Sequence, residues 1–185
     1  MGAGNKLLLE IDGKSILRFS TENLLKSKVN EIVVVTGTDR AAVEAELQSF
    51  DVRVCYNKNY KKGISSSIST GLQNIQKETD AALILLADQP NLGAEIINQF
   101  IEKFQQNQKI VAGRYKETIC NPVLFPRIFF EELKTLKADF GAKSILQKHA
   151  DKLVTVDIPE NNIVDLDTPT DFKRIETILK NDIST

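Results

Sequence analysis

The 185-residue sequence predicts an α/β fold, a mostly parallel sheet with helices on both faces, and three observations predict it. The first is Ala81-Ala82-Leu83-Ile84-Leu85-Leu86-Ala87, an uncharged apolar run that ends at Asp88. A strand buried on both faces reads as continuous hydrophobics of this kind, without alternation. The second is the β-branched run Ile32-Val33-Val34-Val35-Thr36, closed by Gly37. The third is the strand-helix-strand rhythm over residues 31–56, whose crossovers are right-handed and build a parallel sheet. Ligands of such sheets sit at the carboxyl ends of the strands, which is where Asp88 falls. Taken alone, Asp88 also fits a turn or a helix cap.

Length and charge narrow the function. The chain suffices for one sizeable core, so residues 1–185 are expected to form a single domain. Charged residues make up 26% with a net charge of −1, which leaves no basic excess for nucleic acid or an anionic membrane surface. No apolar run reaches the roughly 20 residues of a membrane span, and no signal-peptide segment is evident. A cytoplasmic protein acting on small molecules is the expectation. Cys55, Cys120 and the lone His149 supply neither a disulfide framework nor a zinc set, so a metal here must be a hard cation held by oxygens.

In chain order, Met1-Gly2-Ala3-Gly4-Asn5-Lys6 is a glycine-containing loop ending in a lysine. Backbone N–H groups and one ammonium suit a phosphate, although a loose polar chain start reads the same way. Residues 7–11 are expected to be extended, closed by the turn Asp12-Gly13-Lys14. Ser15 can cap a helix to about residue 26 that turns Leu17, Leu24 and Leu25 inward. After the strand at 31–37, Asp39 can cap a helix to about residue 48, and residues 52–56 read as another strand. The polar loop 57–62 carries Lys58, Lys61 and Lys62, a solvated connection that also suits an anionic substrate.

Gly63-Ile64-Ser65-Ser66-Ser67 opens the next helix, continued by Ile68, Leu72 and Ile75. Capping accounts for Ser65, while three serines together offer the donors that hold a phosphate or a ribose. Pro90 ends the strand before Asp88. A helix follows over about 94–104, with Ile96, Ile97, Phe100, Ile101 and Phe104 as its inward stripe. Residues 109–113 form a short strand, and 120–126 another, entered through an Asn121-Pro122 corner. Pro126 opens a helix carrying Phe129, Phe130, Leu133 and Leu136. The loop 138–143 leads into a helix ending near His149, whose polar neighbours place it on the surface. Residues 153–157 are the last strand. Thr168 as cap, Pro169 at the first helical position and Asp171 start a closing helix with Phe172, Ile175, Ile178 and Leu179 inward.

That cap leaves Asp165 and Asp167 without a structural task. If the sheet is parallel, they can meet Asp88 on its carboxyl edge. Carboxylates of this kind, with waters and substrate phosphates, make a Mg²⁺ site. With Lys6 added, the site suits a nucleoside triphosphate and needs no protein nucleophile.

Six blocks, in order, carry a resemblance: Met1-Gly2 through Lys6-Leu7-Leu8, Gly63-Ile64-Ser65-Ser66-Ser67, Leu86-Ala87-Asp88-Gln89-Pro90, Asn121-Pro122-Val123-Leu124-Phe125, Asp139-Phe140-Gly141-Ala142-Lys143 and Asp165-Leu166-Asp167-Thr168-Pro169. Over nearly its whole length the chain resembles the molybdenum cofactor cytidylyltransferases and related molybdopterin nucleotidyltransferases. The resemblance implies a three-layer, Rossmann-like nucleotide-diphospho-sugar transferase fold. It also implies Mg²⁺-dependent transfer of CMP from CTP to the phosphate of molybdopterin, with release of pyrophosphate, and a molybdoenzyme that receives the cofactor. By this analogy Lys6 and Asp88 are catalytic; Gly2, Lys6, Ser65, Ser66, Ser67 and Asp88 bind the nucleotide; Asp88, Asp165 and Asp167 bind the metal. Asn121, Pro122, Asp139, Gly141 and Ala142 shape the acceptor side.

Three departures accompany the resemblance. In the family a strand and a loop of the form Leu-Ala-Ala-Gly-x-Ser-x-Arg precede the match to Met1-Gly2, and this chain has neither. The expectation is a sheet with unpaired strands at that place, each unsatisfied buried group costing about 1–3 kcal/mol, and a natural chain that starts further upstream. Cys120 stands where the family usually has glycine, and Lys143 replaces an arginine, keeping charge but losing a bidentate fork. GTP or another phosphorylated acceptor is the rival within this chemistry, and a non-catalytic nucleotide-binding relative is the rival outside it.

Overall fold

The β-branched and apolar runs form strands in the computed structural model, which describes residues 5–136 and 142–183. A 3₁₀ turn, Lys6–Leu8, precedes a small antiparallel pair, β1 (Glu10–Ile11) and β2 (Lys14–Ser15). Asp12 and Gly13 join the pair, both at positive φ, as the mirror-image turns of tight hairpins require. Residues 7 and 8, expected to be extended, coil instead, because Asn5 Oδ1 accepts from the Leu7 N–H at 3.1 Å and closes the turn.

Helix α1 (Ile16–Leu25) starts at Ser15, whose hydroxyl accepts from the Arg18 N–H at 3.3 Å. It buries Leu17 as expected, while Leu25 is turned to solvent at 39% exposure. β3 (Val33–Thr36) and β4 (Arg53–Tyr56) pair in parallel, with α2 (Arg40–Leu47) as their crossover. Asp39 precedes α2 but does not cap it with its side chain; it lies in the left-handed region at φ 57°.

The main sheet runs β5 (Ala81–Ile84), β7 (Thr118–Pro126), β6 (Ile110–Tyr115), β8 (Leu153–Asp157). Three of these strands run the same way and β7 runs against them. Among the described residues the 81–87 run is not a strand buried between parallel neighbours. β5 is at the end of the sheet order, half-buried, and its hydrogen-bonded neighbour β7 is antiparallel to it. Side chains alternate across the sheet. Val111 and Leu124 pack on α4 (Ala94–Asn107), through Ile97, Phe100 and Phe104. Ala112, Val123 and Phe125 pack on the other face with Ile68 and Leu72 of α3 (Ile64–Asn74), Leu133 of α5 (Phe130–Lys134) and Ile145 of α6 (Lys143–Lys148). This is a three-layer arrangement.

Opposite the Ala112/Gly113 step, β7 carries Asn121 and Pro122 without partners in β6, a bulge that suits proline because it has no N–H to give the ladder. The Asn121-Pro122 peptide is cis. His149 is not a free surface residue: its ring lies 4.9 Å from that of Phe129, and Nε2 is 3.0 Å from Glu132 Oε2. The closing helix α7 (Pro169–Ile183) begins as expected, with Thr168 Oγ1 accepting from the Asp171 N–H at 3.2 Å and Asp171 Oδ2 accepting from the Thr168 N–H at 2.7 Å.

Candidate active site

The loop after β5 is fastened on two sides. The Ser20 hydroxyl donates to the Ala87 carbonyl at 2.8 Å, and Asn23 Nδ2 donates to the Pro90 carbonyl at 2.8 Å, which ties the loop to α1. On the other side the Leu166 N–H donates to the Asp88 carbonyl at 3.1 Å. Leu166 is itself fully buried with Ile11, Ile16 and Ile175, so the hydrophobic core sets where the segment 165–167 crosses Asp88.

Lys6 joins the carboxylates. Its Nζ donates to Asp88 Oδ2 at 2.6 Å and to Asp167 Oδ1 at 2.8 Å. Asp167 is largely exposed and is steadied by its own N–H donating to Asp171 Oδ2 at 3.3 Å. Asp165 Oδ1 accepts from Gln89 Nε2 at 2.6 Å. Burial opposes charge on Lys6, and hydrogen bonds from it to Asp167 and Asp88 outweigh that, so its pKa is raised. Asp165 is exposed as a residue, yet its carboxyl end is crowded; that desolvation and the charges of Asp88 and Asp167 raise its pKa against the opposing Gln89 hydrogen bond. Desolvation and the Asp165 charge likewise push the Cys120 thiol up.

Three residues separated widely in sequence, Lys6, Asp88 and Asp167, therefore meet, with Asp165 alongside. Among the described residues no three His, Cys, Asp or Glu side chains close into a ready metal cage. The fit for a hard cation rests on another feature: Asp88 Oδ1 is buried and has no hydrogen-bond partner among the described residues, while Oδ2 already faces a cation in Lys6. A cleft of about 500 Å³ opens beside Lys6, walled by Thr36, Gly37 and Ala87.

Serines of α3 border a second cleft. Gly63 is the cap of α3, and no side chain caps it. Ser65 and Ser66 line this second cleft of about 370 Å³ with Lys62 and Lys134. Ser66 and Ser67 both accept from Nδ2 of the buried Asn57, at 2.8 and 3.1 Å. Asn121 and Pro122 stand in the β6/β7 bulge, and Ala142 directly precedes α6. Gly2, Asp139 and Gly141 lie outside the described residues. Sequence reasoning missed Gln89, Asn91 and Asn57, all buried. The one available signal was the placing of polar amides in the segments that follow β4 and β5, at positions that a solvated turn explains equally well.

Comparison with known proteins identifies the family and the fold. A family model described as the MobA-like NTP transferase domain matches residues 1–153. The chain is 26% identical over 184 residues to purine catabolism protein PucB of Bacillus subtilis (strain 168), covering 92% of this chain and 87% of PucB. It is 23% identical over 194 residues to adenosylcobinamide-phosphate guanylyltransferase of Methanocaldococcus jannaschii, covering 98% and 92%. Among solved structures, Rv0371c from Mycobacterium tuberculosis H37Rv matches with a TM-score of 0.83 at 19% identity, covering 95% of this chain and 90% of that one. The manganese complex of Rv0371c matches with a TM-score of 0.75 at 20% identity, covering 93% and 91%. These structural likenesses speak for the fold, a Rossmann-like nucleotidyltransferase fold. With the family model covering most of its length, the chain belongs to the MobA-like NTP transferase family and is a nucleotidyltransferase.

Proposed function

We propose that this chain, as a single cytoplasmic domain over residues 1–185, transfers CMP from CTP to the terminal phosphate of molybdopterin in a Mg²⁺-dependent reaction. The observation that carries the reading is the Lys6 ammonium held between Asp88 and Asp167 beyond the carboxyl end of β5. The six sequence blocks support the acceptor. An oxygen of the acceptor phosphate bonds to the α-phosphorus of CTP, the bond from that phosphorus to the bridging oxygen breaks, and pyrophosphate leaves. The acceptor is its own nucleophile, so the protein's work is positioning and charge.

Lys6 exchanges carboxylate partners for phosphate oxygens, and its raised pKa keeps it cationic while it does so. The buried Asp88 Oδ1, with Asp165 and Asp167, would hold the divalent ion. When bound, Mg²⁺ neutralises charge on the α-phosphate and the departing pyrophosphate. Gly2 and Ser65 to Ser67 would contact the nucleotide, and Asn121, Pro122, Asp139, Gly141 and Ala142 the acceptor. A molybdoenzyme would receive the product.

The test is pyrophosphate release with Mg²⁺, molybdopterin and each of the four ribonucleoside triphosphates. Release with CTP alone is expected. Release with GTP instead favours the second reading, which the likeness to a guanylyltransferase motivates. No release with any nucleotide, while nucleotide still binds, makes the chain a binding module.

A further inference from the structure

Gln89 is only 3% exposed and has no part in the proposed reaction. Its Nε2 donates to Asp165 Oδ1 at 2.6 Å, and its Oε1 is buried with no hydrogen-bond partner among the described residues. An amide that leaves one end unpaired is a poor way to fill space, since an apolar side chain of the same shape would leave no buried acceptor unmatched. What the amide adds is one directed donor, and that donor points at a carboxylate. The carboxylate assigns the amide orientation, because only the nitrogen can donate to it.

Around this contact the backbone is already pinned. Val164 and Leu166 are buried on either side of Asp165, and the Leu166 N–H is bonded to the Asp88 carbonyl. The Gln89 side is held as firmly: Asn91 Nδ2 donates to the Asn161 carbonyl at 3.1 Å, and Asn162 Nδ2 donates to the Asn91 carbonyl at 2.6 Å. The remaining freedom at Asp165 is rotation of its side chain, and Gln89 removes it. With Oδ1 engaged by Gln89, Oδ2 is the oxygen left for a cation.

We propose that Gln89 is a positioning residue that fixes the Asp165 carboxylate in the orientation in which it shares a divalent cation with Asp88. The inference rests on the metal reading of this site. Outer partners of metal-binding carboxylates typically change metal affinity by 10–100-fold when removed. The probe is Mn²⁺, titrated by electron paramagnetic resonance with and without CTP into wild type, Gln89→Met, Asp88→Asn, Asp165→Asn and the Gln89→Met/Asp165→Asn pair. Melting temperatures are recorded for each.

Gln89→Met is expected to stay folded and to weaken Mn²⁺ binding about 10–100-fold. In the Asp165→Asn background the same change should add little, since Gln89 acts through that carboxylate. Mn²⁺ affinity unchanged in Gln89→Met, or weakened equally whether or not Asp165 is present, overturns the proposal. Asp88→Asn separates the two levels: wild-type Mn²⁺ binding in that variant sinks the metal reading itself, whereas lost binding there with full binding in Gln89→Met sinks only the role of Gln89. If Gln89→Met does not fold, the side-chain amide resonances of Gln89 in wild type decide. Mg²⁺ should shift them, and resonances indifferent to saturating Mg²⁺ would overturn the proposal.

Discussion

Asp88 shows how little of a side chain's task is visible in its identity. Its Oδ2 pairs with Lys6 at 2.6 Å, its Oδ1 is buried without a partner among the described residues, and its carbonyl receives the Leu166 N–H. The backbone bond survives substitution and the charge does not, so Asp88→Ala should lower turnover by at least about 10²–10³-fold, the scale of losing one transition-state contact. Its melting temperature should stay within a few degrees of wild type, and unchanged turnover would remove Asp88 from the chemistry. Asp165 makes a prediction about pH. Its pKa is raised by desolvation and by the charges of Asp88 and Asp167. A carboxyl with a raised folded pKa holds its proton more tightly in the folded chain, so its contribution is present below the unfolded value and is lost as pH rises through the folded one. Asp165→Asn, which still offers an acceptor to Gln89, should therefore melt above wild type at neutral pH. The difference should close once the pH falls below the ordinary carboxylate range; calorimetry across pH checks this, and equal melting at neutral pH contradicts it.

Among the elements, the β6/β7 pair has the least room for change. At Gly113 an added Cβ would lie 2.6 Å from Ile158 Cδ1, 2.9 Å from the Asn121 carbonyl oxygen and 3.0 Å from that of Cys120. Two of those neighbours are backbone atoms of the bulge that presents Asn121 and Pro122. Gly113→Ala should cost about 1–3 kcal/mol in urea denaturation, the range for overpacking a site that cannot relax. It should also shift the bulge, so acceptor KM is expected to change more than nucleotide KM. A variant as stable as wild type would mean that Ile158 and the bulge give way easily. The start of α7 has a second use: the Asp171 carboxylate that caps the helix also receives the Asp167 N–H, so one local motif both begins the helix and sets a site residue.

At the scale of the molecule, the sheet separates two apolar layers, and Phe100 and Phe125, both fully buried, lie on opposite sides of it. Phe100→Ala should destabilise by about 3–5 kcal/mol in equilibrium unfolding, as large-to-small changes at closed positions do. A loss under about 1 kcal/mol would mean that the α4 layer collapses onto the cavity. The pattern of apolar residues in the sequence placed most strands and helices within a few residues, because periodicity reflects which face each element buries. It also yielded Lys6, Asp88, Asp165 and Asp167 as one candidate set, since charged groups next to strand ends and helix caps had no local use. The sequence misassigned β5, because an apolar run states how greasy a strand is and not which strands will flank it. It could not separate Ser66 as a ligand from Ser66 as a partner of Asn57, nor find Gln89, because a hydrogen bond across 76 residues has no local signature. Local composition and spacing determined the elements and the stock of reactive groups; only the tertiary structure decided which of them touch, because the burial of Leu166 against α1 and α7 carries the carboxylates to Lys6.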